Sequence, residues 1–562
     1  MTAEQVATPT FFEKHKSMLD GAVEAVRSRN HWSSFPEVPS GKIYGETAKA
    51  DGWAAFDQRL GQSFALSQPS SGVTSNTETS PYGLALGITY PTSDLDTLLP
   101  AMESAMSDWR SADVEARVGV CLEILYRLGA QSFEMANAIM HTTGQAFMMA
   151  FQAGGPHALD RGLEAVAYAY ESMTACPREM TWEKRVSKED VVRLKKNFRV
   201  VPRGIAVTIG CSTFPTWNGY PGLFASLVTG NAVAVKPHPA VTLPLAIAVE
   251  TCREVLAEAG FDANVVTLVA NGLDHPEITK ELVKRPEVAI IDYTGGNAFG
   301  DWIEENCRHA VVFTEKAGVN SVVIDSVEDL RAVTGNLAFS VSLYSGQMCT
   351  APQNIYIPEG GIKAGEKTLS FDEVTGGLVK AVSKLLGDPQ RAVEVLGAVQ
   401  NPDTLARLED RASSGAKVLL KSEAVPHEKF PDARIRTPLI LEVTAAQRDL
   451  YMTEAFGPIV FVIKTADTDE SLALAAASAR ENGAITSALY TTDDAVLERG
   501  IGMLTDAGAS VSCNLTGPIY VNQAAAFSDF HVSGANPAGN ATLCDAAFVS
   551  NRFRFVQSRV PA

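Results

Sequence analysis

Short apolar runs alternate with helix-like stretches through the middle of the chain. The runs span 204–210, 231–237, 264–269, 288–292 and 309–313, with helical patterns over 222–229, 242–259, 277–284 and 297–307. Runs that are apolar at every position indicate strands buried on both faces, and intervening helices indicate parallel connections. We therefore predict a doubly covered parallel sheet of the Rossmann type, which binds ligands at the carboxyl ends of its strands.

The flanking segments show three further patterns. Residues 95–175 have the three-to-five spacing of core-facing helices, and 319–520 carry a second α/β alternation with apolar runs at 322–324, 353–357, 439–441 and 459–463. Residues 196–200 and 552–557 alternate polar with apolar side chains. Two half-buried strands of this kind are expected to pair with each other or with a partner subunit. The polar opening contains one helical candidate, 11–26.

Composition narrows the class of protein. The 562 residues include 46% hydrophobic and 20% charged residues, which allows two or three packed domains. A net charge of −18 disfavours nucleic acid and anionic membranes as partners. The eight cysteines lack CxxC or zinc spacing, so we expect reduced thiols and no metal site. Residues 1–5 have no basic or apolar signal region, and no apolar run reaches spanning length; a cytoplasmic protein is expected.

One cysteine stands in a context that favours chemistry. Cys349 follows a tight turn in Ser345-Gly346-Gln347-Met348-Cys349, and Glu315 lies thirty-four positions upstream (349 − 315) in Phe313-Thr314-Glu315-Lys316. A thiolate is a nucleophile when a substrate reaches it, whereas most other cysteines are small core residues. A glutamate at a strand end can activate water if burial raises its pKa. An ion pair with the adjacent Lys316 would instead lower the pKa of a carboxylate.

The Gly-Gln-x-Cys turn, the glutamate and their separation resemble the active site of the aldehyde dehydrogenase superfamily. The resemblance covers roughly 85–560 and implies a nucleotide domain, a catalytic domain and a β-ribbon for oligomerisation. The implied boundaries are a 1–84 extension, a nucleotide domain at 85–318 with a ribbon strand near 190–202, a catalytic domain at 319–520 and a return segment at 521–562. The opening, the loop 211–220 and the closing region are similar to the PaaN-type branch of bacterial phenylacetate degradation.

The resemblance assigns catalytic roles to this chain. Cys349 matches the nucleophile, which forms a thiohemiacetal and then a thioester, and Glu315 matches the general base for thioester hydrolysis. Thr213 stands where the family places an asparagine that donates to the oxyanion. A threonine hydroxyl donates one hydrogen bond with a shorter reach, so Asn218 is the alternative donor. The family's Leu-Gly-Gly-Lys after the glutamate is replaced by Lys316-Ala317-Gly318-Val319.

The resemblance also places a cofactor. It implies binding of NADP or NAD by Ser212, Lys236, His238, Gly295, Gly296, Gly300, Glu454 and Phe456. The position that carries a glutamate in strongly NAD-selective members is Pro239 here, which permits NADP because no carboxylate repels a 2′-phosphate. Gly295 and Gly296 precede a predicted helix, and a helix N-terminus favours a pyrophosphate.

The implied function is oxidation of an aldehyde to the acid by a homodimer or homotetramer. The branch implies a semialdehyde of aromatic or phenylacetate catabolism, CoA-linked or free. The alternatives are a CoA-acylating dehydrogenase, which usually lacks the glutamate, and a non-catalytic binding descendant, favoured by the missing asparagine. Five aromatic residues are candidates to line a substrate tunnel or to form core: Trp217, Tyr220, Tyr344, Phe527 and Phe530.

Overall fold

The computed structural model describes residues 10–72, 74–75, 77–271 and 275–562. Residues 1–5, on which the expectation of no secretory signal depends, lie outside this range. Within the described ranges, no helix combines the length and apolar character needed to cross a membrane. The chain forms two parallel-strand sheets with flanking helices, a three-stranded ribbon, and an N-terminal helical layer.

The first sheet has five parallel strands. Their spatial order is Val266–Leu268, Ala232–Lys236, Ile205–Ile209, Val288–Thr294 and Val311–Glu315. The helices of this region are Pro215–Val228, Leu243–Glu258, Ile278–Val283 and Asn297–Asn306, with a 3-10 turn at Ala263–Val265. The central strands are buried at nearly every position, as the continuous apolar runs predicted. The carboxyl ends of three strands therefore present residue 210, Lys236 and Glu315 at one edge.

The helix before the second strand begins earlier than its sequence predicts. The expectation of a loop over 211–220 is wrong from Pro215 onward, because the helix spans Pro215–Val228. Gly219 and Pro221 suggested a loop, but Pro215 occupies the first turn, where a proline costs no hydrogen bond, and the helix is buried on nearly all sides. Tertiary packing outweighs the weak local propensity.

The second sheet has seven strands. Their order is Lys417–Leu420, Leu439–Thr444, Ile459–Thr465, Asn354–Pro358, Ser321–Ile324, Thr486–Tyr490 and Ser510–Cys513, with only the first pair antiparallel. Its helices are Leu330–Ser342, Phe371–Leu385, Pro389–Leu396, Pro402–Ala412, Arg448–Tyr451, Thr468–Asn482 and Asp494–Asp506. A small sheet joins Ser326–Val327, Ile362–Ala364 and Lys367–Leu369. A 3-10 turn, Leu343–Gly346, leads into the Cys349 segment.

The two alternating segments pair with each other. Strand Phe553–Pro561 runs antiparallel to Val191–Pro202, which also pairs with Glu179–Arg185. The short helix Ala546–Ser550 precedes the ribbon strand. Between them, Arg552 makes a buried bidentate ion pair with Asp292, at 2.7 and 2.6 Å, so the return segment is anchored in the first sheet.

In the part of residues 1–178 that the structure describes, nine helices and a short strand pair form the layer before the ribbon. The helices are Phe11–Lys14, Lys16–Ser28, Gly41–Tyr44, Ala48–Arg59, Leu95–Trp109, Val114–Ala130, Ser132–Thr143, Phe147–Gly154 and Pro156–Thr174, and the strands are Thr74–Ser75 and Tyr90–Pro91. The single helix expected over 11–26 is interrupted at His15, whose φ of −109° and ψ of 14° are not helical. Trp109 is fully buried, as its spacing predicted.

Candidate active site

A strained turn presents Cys349. Three consecutive residues, Tyr344, Ser345 and Gly346, have φ of 52°, 50° and 63°, a left-handed conformation that only glycine adopts freely. A side chain at Gly346 would meet the Gly457 carbonyl oxygen at 2.3 Å. Ser345 Oγ donates to two main-chain carbonyls, at 3.1 Å each, and so offsets the strain.

Gln347 completes the turn. Its Nε2 donates to the carbonyls of Tyr344 and Ala398 at 3.1 and 3.0 Å, and its Oε1 accepts from the Gln400 N–H at 2.9 Å. A buried amide with both ends bonded holds the backbone in one conformation. The glutamine of the Gly-Gln-x-Cys turn is therefore structural, and it orients the cysteine two residues later.

Glu315 lies at the end of its strand, buried beside Cys349. Its Oε2 accepts from Asn218 Nδ2 at 2.7 Å and its Oε1 from His531 Nε2 at 2.8 Å. Burial raises the pKa of this carboxyl, but the hydrogen bonds and charge of His531, with Cys349 and Asn218, outweigh it and leave the pKa below its ordinary value. The expectation of a raised pKa is wrong for this state, because these polar partners surround the group.

Lys316 does not face this centre. Its Nζ pairs with Asp301 at 2.7 Å and with Glu304 at 3.2 Å on the neighbouring helix. The lowered pKa of Glu315 thus has a different cause from the Lys316 ion pair considered from the sequence.

His531 is the residue that sequence reasoning missed. Its Nε2 is 3.7 Å from Cys349 Sγ, and its ring is buried against Trp217 with centroids 4.6 Å apart. The ligand-forming atoms of Glu315, Cys349 and His531 all lie within 4.8 Å of one another. No periodicity surrounds His531, and the sequence singled out only its neighbour Phe530, as a candidate tunnel residue.

The Cys349 thiol has a raised pKa in this resting arrangement, which favours its protonated form. Burial, together with the negative charge of Glu315 and a hydrogen bond to it, raises the thiol pKa well above its ordinary value. A nucleophile needs the thiolate, so the proton must leave when a substrate binds.

The two candidate oxyanion donors are both near Cys211. Asn218 gives its amide N–H to Glu315, and its Oδ1 accepts from the Cys211 thiol at 3.7 Å. Thr213 hydrogen-bonds the Cys211 sulfur through its backbone and hydroxyl, while its carbonyl accepts from Gln145 Nε2 at 2.8 Å. Both residues line the same cavity as Cys349.

That cavity has a volume of about 470 Å³ and joins the two sheets. This size falls within the range of small-ligand sites. Its wall contains the predicted catalytic residues and all but one of the predicted cofactor residues: Cys349, Glu315, Thr213, Asn218, Ser212, Lys236, His238, Gly295, Gly296, Glu454 and Phe456. Gly300 is instead buried, where a Cβ would meet the Lys316 stem at 2.5 Å.

The cavity has polar features that suit a dinucleotide. Burial lowers the pKa of Lys236 to about 7, and its Nζ donates to the Pro237 carbonyl at 2.7 Å. His238 is exposed at the cavity wall, and its Nδ1 accepts from the Ala240 N–H at 3.2 Å. Burial raises the pKa of Glu454 to about 7. Helix Asn297–Asn306 begins at the cavity wall without a side-chain cap, so its N-terminal N–H groups suit a pyrophosphate.

The aromatic tunnel candidates mostly belong to the core. Tyr220, Tyr344 and Phe527 are fully buried, and Tyr344 donates to the Thr143 carbonyl at 2.5 Å. Phe530 is half exposed beneath the Arg29 guanidinium, at 4.0 Å. Trp217 alone contacts the catalytic cluster, through His531.

Comparison with known proteins gives a consistent result. The model of the Aldehyde dehydrogenase family matches residues 88–546. A crystal structure of an NAD-dependent aldehyde dehydrogenase from Burkholderia multivorans is 53% identical, with 99% of this chain and 100% of that chain covered and a TM-score of 0.97. N-succinylglutamate 5-semialdehyde dehydrogenase of Burkholderia multivorans is 27% identical over 399 residues, covering 69% of this chain and 75% of the relative.

A more distant structure shares the fold. The NADP-dependent glyceraldehyde-3-phosphate dehydrogenase of Bacillus halodurans, complexed with NADP, is 18% identical and has a TM-score of 0.69. The alignment covers 89% of this chain and 98% of that one.

Proposed function

Because the chain belongs to the aldehyde dehydrogenase family, we propose that it oxidises an aldehyde to the carboxylic acid through a thioester on Cys349. The observation that carries the proposal is one cavity of about 470 Å³ whose wall contains Cys349 and Glu315 together with Lys236 and the residues that begin a helix. Such a cavity lets one ligand meet the sulfur while another lies beside Lys236.

The cofactor proposal is NAD or NADP. Lys236 and His238 would hold the adenosine ribose, Gly295 and Gly296 the pyrophosphate, and Glu454 and Phe456 the nicotinamide ribose. The bound nicotinamide supplies the acceptor for the two electrons that leave the aldehyde carbon. Similar solved structures are titled as NAD-dependent or as complexed with NADP, which supports this assignment. Ser212, in the same wall, is a further proposed contact.

The protein's own residues perform the covalent steps. Cys349 Sγ attacks the aldehyde carbon to give a thiohemiacetal, whose oxidation leaves a thioester. Glu315 then takes a proton from the water that hydrolyses the thioester. Thr213 is the proposed oxyanion donor, with Asn218 as the alternative. In the resting arrangement Asn218 donates to Glu315 and the Thr213 hydroxyl bonds to the Cys211 sulfur. Losing such a donor typically costs about 10²–10³ in rate.

The proposed substrate is a semialdehyde. The curated relatives named N-succinylglutamate 5-semialdehyde dehydrogenase support that class, although their identity to this chain is only 27–28%. The PaaN-like segment over 211–220 supports a CoA-linked semialdehyde of aromatic or phenylacetate catabolism. A substrate screen with N-succinylglutamate 5-semialdehyde, CoA-linked semialdehydes and aromatic aldehydes, each with NAD and NADP, decides between them.

The test of the activity is Cys349→Ala. We expect it to abolish aldehyde-dependent formation of reduced nicotinamide while dinucleotide binding, measured by fluorescence titration, remains. Cys121→Ala, in the buried core, is the control and keeps turnover. Unchanged turnover in Cys349→Ala contradicts the proposal. Consumption of free CoA in a one-to-one ratio with the aldehyde would instead favour the CoA-acylating alternative.

A further inference from the structure

The arrangement around Cys349 contains a histidine placed to act on the sulfur. We propose that His531 is a catalytic residue whose Nε2 proton is shared between the Glu315 carboxylate and the Cys349 sulfur, so that it stabilises the thiolate. The proposal rests on the function proposed above and adds a residue to its machinery. Its basis is the pair of contacts at Nε2, 2.8 Å to Glu315 Oε1 and 3.7 Å to Cys349 Sγ.

The hydrogen bonds indicate which ring nitrogen carries the proton. Nε2 lies at hydrogen-bond distance from a carboxylate oxygen, which can only accept. Nδ1 is buried and has no hydrogen-bond partner among the described residues. A ring with its proton on Nδ1 alone would leave a buried donor unpaired and give Nε2 no hydrogen for the carboxylate, so Nε2 carries a proton. His531 is therefore a donor to the sulfur, whereas Glu315 is the base.

The proton transfer balances within this cluster. When Cys349 is activated, its S–H bond breaks and an O–H bond forms on Glu315, so the charge moves from carboxylate to thiolate and the total is unchanged. A protonated carboxyl is a weaker acceptor, and the Nε2–H turns to the sulfur. The sulfur then bonds to the aldehyde carbon, and Glu315 releases its proton to the cavity before hydrolysis.

Hydrolysis uses the same atoms in reverse. Water loses one proton to Glu315 as its oxygen bonds to the thioester carbon. The carbon–sulfur bond breaks, and Nε2–H of His531 again donates to the departing thiolate. Glu315 returns the proton to sulfur, which restores the resting thiol and carboxylate.

A set of buried contacts holds His531 in position. The Trp217 ring packs against it, and the Arg161 guanidinium lies 4.9 Å from the Trp217 centroid. Arg161 also donates to the carbonyls of Asp529 and Leu543, at 3.2 and 3.5 Å, and pairs with Glu164 at 2.8 Å. These bonds fix the backbone at Asp529, two residues before His531, and at Leu543, which pairs with His531 in an antiparallel bridge, so the ring is held toward Cys349.

The test measures the ionisation of the Cys349 thiol in the absence of an aldehyde substrate. Iodoacetamide reacts with thiolates, so the pH at which Cys349 reaches half its maximal alkylation rate reports its ionisation. The groups that act on this ionisation are Glu315, His531, Cys211 and Glu454. Peptide mass spectrometry separates Cys349 from Cys211 in the same cavity. EDTA is included because the three ligand-forming atoms are close enough to hold an adventitious cation.

Two replacements separate donation from packing. His531→Phe keeps a ring against Trp217 but removes the donor, and His531→Gln keeps an N–H near the position of Nε2. We expect His531→Phe to raise the alkylation midpoint by about one to two pH units, the effect of one hydrogen bond to a charged group. It should also lower kcat about 10²-fold. His531→Gln should restore the midpoint to within about half a unit of the wild type.

Each outcome of this experiment either supports or overturns the proposed role of His531. His157→Phe, at an exposed histidine paired with Glu37, is the control and keeps the wild-type midpoint. An unchanged midpoint in His531→Phe, with dinucleotide binding retained, overturns the proposal, and so does an equal shift in His531→Phe and His531→Gln. If His531→Phe fails to fold, His531→Met provides the same comparison. Alkylation needs no aldehyde, so inactivity of the wild type toward aldehydes would count against the proposed function alone.

Discussion

At the scale of single residues, the proposed chemistry depends on the few groups that lie close to the Cys349 sulfur. Cys349, Glu315 and His531 share a buried space in which one proton has two acceptors, and the pKa directions follow from burial and charge rather than from residue type. Asn218 occupies one carboxylate oxygen and thereby leaves the other to His531. Replacing any member is expected to change the ionisation of the others.

A second feature at the scale of single residues is Pro239, which bears on the choice between NAD and NADP. Pro239 lies in the cavity wall with Lys236 and His238. We predict that Pro239→Glu lowers kcat/KM for NADP at least about 10-fold relative to NAD, because a carboxylate repels a 2′-phosphate and binds ribose hydroxyls. Steady-state kinetics with both dinucleotides measures the ratio. Pro239→Gln, without the charge, should leave it nearly unchanged, and an unchanged ratio in Pro239→Glu would mean that the adenosine binds elsewhere.

At the scale of elements, the segment 77–90 braces the cavity wall that contains Lys236 and Pro239. Thr77 Oγ1 donates to the Pro239 carbonyl. Glu78 Oε1 accepts from the N–H groups of Thr242 and Leu243, at the start of helix Leu243–Glu258, and its Oε2 accepts from Tyr90 at 2.5 Å. This segment thus positions the helix that follows the Lys236 strand, which gives residues 77–90 a structural role.

Glu78 also predicts a pH dependence of stability. Burial raises its pKa from 4.5 to about 7, despite hydrogen bonds from Tyr90, Leu243 and Thr242 that lower it. A group with a raised folded pKa adds stability below the unfolded value, and that stability is lost as the pH rises through about 7. Glu78→Gln should therefore gain up to about 3 kcal/mol relative to the wild type between pH 4.5 and 8.

Thermal unfolding at pH 5 and pH 8 checks this prediction. The difference in unfolding midpoint between Glu78→Gln and the wild type should be larger at pH 8. Glu103→Gln, at an exposed position of helix Leu95–Trp109, should give the same difference at both values. A difference for Glu78→Gln that does not grow with pH would mean that the pKa of this carboxyl is not raised in the folded protein.

At the scale of the whole molecule, the ribbon is a feature with exposed apolar side chains. Its strands expose the apolar side chains Met180, Val192, Phe555, Val556 and Val560. The resemblance to aldehyde dehydrogenases implies a dimer or tetramer, and an exposed apolar ribbon edge is suited to an interface between identical subunits.

We predict that the wild type is a dimer or tetramer in light scattering. The double replacement Val556→Glu and Val560→Glu should shift it toward the monomer, because charges in an apolar interface are costly to bury. Lys188→Glu, in the exposed turn of the ribbon, is the control and should keep the oligomer. An unchanged mass in the double variant would place the interface elsewhere.

Much of the fold could be predicted from local patterns in the sequence. The five strands of the first sheet lie within two or three residues of the predicted runs, and the family match confirms the expected fold and superfamily. Periodicity and short motifs are local properties, so they predict strands, the Cys349 turn and the spacing to Glu315. The prediction of a loop over 211–220 was wrong from Pro215 onward, because burial stabilises a helix that its glycine and prolines disfavour locally.

The sequence by itself determined the proposed nucleophile, the proposed base and most of the proposed cofactor residues, because motifs carry them. Only the tertiary structure decided that His531, 182 positions from Cys349 and 216 from Glu315, lies against both. It also decided that Glu315 has a lowered pKa and that Tyr344 is core. These facts depend on contacts between distant segments, and burial and charge at such contacts leave no periodic signal along the chain.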